Sequence, residues 1–152
     1  MTTRAKKIII GVIALVLLVV IAIGVLIGAV VSGWKAAVRS GNEAATVQTL
    51  KAIAAVEAQY FNAHNRTFGT LDQLVREGFD ARFSSDYPSV DGYVYTLRVI
   101  SKTDTRPSSF TLNADPQAGS WNGSHFYFDS TDGLIRVNAD HSAGLNDPAH
   151  AP

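Results

Sequence analysis

The stretch IIIGVIALVLLVVIAIGVLIGAVV, residues 8–31, decides how the rest of the chain is read. It is aliphatic throughout, broken only by Gly11, Gly24 and Gly28, and carries no charge. At a rise of 1.5 Å per residue, this run makes a helix roughly 36 Å long. A hydrocarbon core is about 30 Å thick, so the run can cross it with some tilt. The residues that follow, 32–65, contain no proline and many alanines. The helix therefore has no reason to stop where the apolar run ends, and its outer half is expected to carry a small domain.

The flanks set a topology. Arg4, Lys6 and Lys7 precede the run and Lys35 and Arg39 follow it. This excess places the N-terminus in the cytoplasm and the C-terminal part outside. A cleaved secretory signal is the other reading, but its apolar region spans about 7–15 residues. The chain of 152 residues then divides into a basic leader (1–7), a transmembrane helix (8–31), an amphipathic continuation (32–65), an α+β domain (66–140) and a flexible tail (141–152). Gly24, Gly28 and Ser32 fall four apart, the spacing that lets helices approach closely in lipid. Trp34 falls where an interfacial aromatic belongs.

Beyond the membrane boundary the pattern becomes amphipathic. Val47, Leu50, Ile53, Ala54, Tyr60 and Phe61 recur at three- and four-residue spacing and make one stripe that must be covered. Glu43, Gln48, Lys51, Glu57 and Gln59 are assigned to the polar remainder. Thr70 is placed to cap a short helix, with Gln73 completing a capping box and Gly78 ending it. Asp80–Asp91 reads as a loop. Four strands follow: 93–100, 110–114, 124–129 and 134–138, with Asp132-Gly133 as a hairpin turn. Such a meander buries one face, and the helix stripe is the large apolar surface available to it. The expected fold is α+β: a long transmembrane-to-amphipathic helix packed on a four-stranded antiparallel sheet.

The order of these parts resembles type IV pilins and type II secretion pseudopilins. The resemblance is carried by the basic leader and apolar helix, then by Asn42–Ile53 with Glu57-Ala58-Gln59-Tyr60-Phe61, Thr67–Leu74, and the strands with Asp132-Gly133-Leu134-Ile135-Arg136. It covers residues 8–140. It implies a structural subunit that assembles through its N-terminal helix into a periplasmic or cell-surface filament. Its implied partners are further copies of itself, other pilins or secretion machinery, and the inner membrane. It also implies processing between Gly11 and Val12. Val16 then stands fifth in the mature chain, where the family has Glu, and the helix lacks the family's proline.

Chemistry-bearing patterns are sparse. His64, His125, His141 and His150 have no metal-ligand spacing on a helix. Neither a nucleophile elbow nor a phosphate-binding glycine loop occurs. No catalytic residue and no cofactor is assigned, and the chain is not read as an enzyme. Asp129, Asp132 and Asp140 are calcium candidates, since oxygen ligands suit that ion, although turns are rich in Asp anyway. Formal net charge is zero, so Arg98, Lys102, Arg106 and Arg136 read as a solvated sheet face rather than a nucleic-acid site. With no cysteine, disulfides and thiolate metal sites are excluded. An anchored, non-polymerising binding module is the alternative function.

Overall fold

The structure, a computed structural model, describes the backbone of residues 3–151 and the side chains of residues 15–151. The chain divides into two compact units, Met1–Val38 and Arg39–Pro152. Helix α1 covers Thr3–Ala63 without a break. Its amphipathic half, from Arg39 on, belongs to the folded unit, because its apolar stripe is part of that unit's core.

Helix α2, Leu71–Arg76, starts at the expected box: Gln73 N–H donates to the Thr70 hydroxyl and Thr70 N–H to the Gln73 side chain. A 3-10 turn at Ala81–Phe83 follows, capped by Asp80. The described residues then form five antiparallel strands in the order β1 Ser89–Val90, β2 Tyr93–Ile100, β3 Ser109–Pro116, β4 His125–Asp129 and β5 Ile135–Asn138. The sheet therefore has five strands, not four. The additional strand comes from the stretch assigned to a loop, where Asp91-Gly92 turns the chain with both residues at positive φ (52° and 77°). That is the geometry of a tight hairpin turn. Gly92 is also required because a side chain there would run into the Asn122 amide.

Register puts Tyr95 opposite Ala114, Leu97 opposite Leu112, and Phe126 and Phe128 opposite Ala114 and Leu112. Alternation sends these to one face, where they bury with Val47, Leu50 and Ile53 of α1. Fully burying a side chain of this size contributes about 1.5–3 kcal/mol. The polar atoms trapped in this interface are partly paired: the Tyr95 hydroxyl donates to Thr46 at 3.4 Å.

Residues 141–152, expected as a flexible tail, are tied to the domain as far as they are described. Val137 N–H donates to the Pro148 carbonyl and His150 N–H to Ile135, so the tail pairs with the free edge of β5. Asn138 reaches Asp147, Asn113 reaches the Ala143 carbonyl, and Ala143 is buried. An unpaired strand edge is a row of donors and acceptors that needs covering, and a polar tail can cover it.

Glu57 is the other departure. Its chemistry puts it on the polar face, yet it is fully buried. It lies four residues beyond Ile53 and seven beyond Leu50, on the core stripe itself. Its Oε2 accepts from Gly69 N–H at 2.9 Å, and Oε1 has no hydrogen-bond partner among the described residues. A Cβ at Gly69 would sit 3.1 Å from the Tyr60 ring, so a side chain there would require that ring to shift. Burial pushes the Glu57 carboxyl up from 4.5 to about 7, against the opposing pull of the Gly69 hydrogen bond.

The folded value lies above the unfolded one, so between these two values the folded chain holds more protons. Stability from this group is present below about pH 4.5 and is lost as pH rises through 7. The span corresponds to roughly 3 kcal/mol. Denaturant unfolding of the full chain in detergent, at pH 5 and pH 8, is expected to show this loss. Glu57→Gln should remove it while keeping an acceptor for Gly69; equal pH dependence in both proteins would refute the assignment.

Candidate functional site

The most exposed apolar surface belongs to the first unit. From Leu15 to Val31 the large aliphatic side chains are between 47% and 72% exposed, and none is covered within the described chain. One helix is long and apolar enough to cross a membrane. Its backbone groups satisfy one another through the helix, which is the requirement for residing in lipid.

Gly24, Gly28 and Ser32 follow one another at four-residue steps on this helix. A Cβ at either glycine would meet nothing within 4 Å, so both leave a shallow, open depression. Ser32 returns its hydroxyl to the Ala29 carbonyl at 2.9 Å and exposes no free donor. Val16 is half-exposed among aliphatic neighbours. Gly11 and Val12 lie within the helical backbone of α1, and their surroundings fall outside the described side chains. Trp34 is exposed.

The three aspartates chosen as calcium candidates do not form a group. Phe128 pairs with Ile135 and His125 with Asn138. This register puts Asp129 and Asp132 at one end of the β4–β5 hairpin and Asp140 beyond the other. The first two are already engaged. Asp129 accepts from Thr131 N–H and hydroxyl and from the Tyr127 hydroxyl. Asp132 accepts from Leu134 N–H and holds the Arg136 guanidinium at 2.6 Å, and those hydrogen bonds keep its carboxyl below the usual range. Among the described residues no three metal-ligating side chains come together.

The histidines also have local partners. His125 Nδ1 lies 2.6 Å from Asp115, whose other oxygen accepts from the Ser142 hydroxyl at 3.1 Å. Serine, histidine and aspartate thus share a network, but the serine is bound to the aspartate rather than the imidazole. That order activates no nucleophile. His64 stacks on Tyr60 and faces Glu77 at 3.6 Å.

A polar node at the start of the folded unit escaped sequence reasoning. Glu43 accepts from Arg39 at 3.0 Å and from Ser124 N–H at 3.3 Å. Burial raises its carboxyl, but those hydrogen bonds outweigh it and hold it below 4.5. The preceding residue, Asn42, donates to Asn122, which donates in turn to the Asp91 and Gly92 carbonyls. The node fastens the loop 117–124 to the helix and to the β1–β2 turn. Only its Asn and Gly content hints at this from sequence. No protein-family model, no curated protein and no solved structure matches the chain.

The engaged aspartates lead to a simple expectation. Millimolar calcium should move the thermal midpoint of the full chain no more than the same concentration of magnesium does. A calcium-specific rise that disappears in Asp132→Asn would restore that residue as a ligand.

Proposed function

We propose that this chain is a pilin-like structural subunit, held in the membrane by its N-terminal helix and assembled through that helix into a filament. One observation carries the reading: the aliphatic surface from Leu15 to Val31 has no cover within the described chain. The same helix continues into the core of an α+β domain. A buried aliphatic surface in a filament would exchange lipid for the helices of neighbouring subunits. Lipid tails are as apolar as leucine, so the gain comes from shape, and small residues allow the closest approach. Gly24, Gly28 and Ser32 supply that shape. The proposed orientation keeps the basic leader in the cytoplasm and the domain outside, and prepilin-type processing would free Val12.

The second reading is an anchored binding module that stays monomeric. It is favoured by Val16, which puts a methyl-bearing side chain where an assembling pilin presents a carboxylate to its neighbour's amine.

Electron microscopy of sheared cell-surface material, labelled with antibody to the Arg39–Pro152 unit, separates the two. Labelled filaments are expected, and Gly28→Leu should reduce them about tenfold while leaving membrane insertion intact. Mass spectrometry should find a mature chain beginning at Val12. Intact Met1 in a monomeric membrane protein, with no labelled filament, supports the anchored module instead.

A further inference from the structure

The core is not closed on its β5 side. Tyr93, Tyr95, Leu112 and Phe126 are at most 1% exposed, whereas Ile135 and Val137 of β5 stay half-buried and Leu134 is 45% exposed. The result is an open groove of about 750 Å³ within the folded unit, between the α1 segment 40–51 and the β4–β5 hairpin. Volume and a mainly apolar lining with a few polar groups suit a small-molecule site.

Three features select its occupant. Val47, Phe126, Phe128, Ile135 and Val137 make its lining mainly apolar, with Gln48 and the His150 ring, which packs edge-on against Phe126, as polar neighbours. The backbone edge of β5 is taken by the tail, through Val137 to Pro148 and His150 to Ile135. An extended peptide therefore has no strand edge to join there, and the body of the ligand is hydrocarbon. The ends of the groove differ in charge. At one end Glu43 is neutralised by Arg39 and by Ser124 N–H. Eight residues on, about 12 Å along the helix, Lys51 lines the other end. It is exposed and has no ion-pair partner among the described residues. Asp132, which precedes the lining residue Gly133, is committed to Arg136. The rim thus offers one uncompensated ammonium group beside a mainly apolar trough.

We infer that this groove binds a free single-chain carboxylate amphiphile, with its alkyl chain on Phe126, Phe128, Leu134 and Ile135 and its head at Lys51. The site is independent of whether the chain polymerises, since it lies wholly in the folded unit.

The test uses the full chain in lipid nanodiscs and a decanoate carrying a terminal diazirine. Photolabelling is expected to saturate and to mark peptides from 44–51 and 124–137. Unlabelled decanoate should compete, and decylamine, with the same chain and opposite charge, should not. Lys51→Glu is expected to weaken competition about tenfold, from loss of the pair plus repulsion. Leu134→Asp should abolish saturable labelling; both side chains are exposed, and circular dichroism checks that each variant keeps its fold. Equal competition by decylamine, or label confined to residues 15–31, overturns the proposal. So does crosslinking of the groove to a second copy that decanoate fails to displace, which assigns the groove to self-association.

Discussion

Coverage of one helical stripe is the constraint on which the folded unit depends. Val47, Leu50 and Ile53 repeat at the helical period, and an exposed stripe of that width would not survive in water. The sheet supplies the cover through strands whose alternation turns tyrosines and phenylalanines to a single face. The rest of the unit is arranged around the contact between this helix and the sheet. The centre closes completely. The β5 side does not, and the edge that remains is sealed at the backbone by the tail and left apolar at the side chains. The ends are fixed by polar nodes: Asn42–Asn122 and Glu43–Ser124 at one, Glu57–Gly69 at the other.

Glu57 shows how firmly that constraint acts. A buried carboxyl with one unpaired oxygen is costly, and a hydrophobic residue would fill the position more cheaply. Its Gly69 bond gives the cost a local return. It ties the chain back just after the helix ends, where Asn65 and Arg66 both sit at positive φ. Without an anchor, two consecutive left-handed residues would leave the entry to α2 poorly defined. The carboxyl thus exchanges some stability near neutral pH for a fixed path between the helices.

Much of this architecture was legible in the residues. Periodicity revealed the helix and its core stripe, and spacing identified the Thr70–Gln73 box. β-Propensity gave β2 its observed limits of 93 and 100. The failures have two causes: a residue read by its chemistry instead of its spacing, and contacts set by long-range geometry that local composition does not encode. Glu57 was assigned by its chemistry although its spacing put it on the stripe. Strand β1 has two residues, too few for alternation, and only Asp91-Gly92 pointed to it. The tail looked loose because its composition is polar, whereas its order comes from a strand edge elsewhere. Asp129, Asp132 and Asp140 are neighbours in sequence, but a hairpin sends Asp140 to the opposite end from the other two.

The same contrast bears on the apolar helix. Its surface is uniform in chemistry, so chemistry alone cannot fix how one copy would sit against another. A carboxylate in lipid would specify register strongly, because leaving it unpaired is expensive. Val16 carries no such penalty, and sliding by a turn would exchange one aliphatic contact for another. Relief remains as a source of register: Gly24, Gly28 and Ser32 make a notch among bulky Leu, Ile and Val side chains, and a notch distinguishes one offset from the next by van der Waals fit. Such fit is weak per contact and accumulates only over a long, well-matched surface. An assembly built on this helix would therefore need its folded unit to contribute specificity. That unit has charged and polar surface to do so, and its register would be salt-dependent, unlike one set by an ion pair buried in lipid.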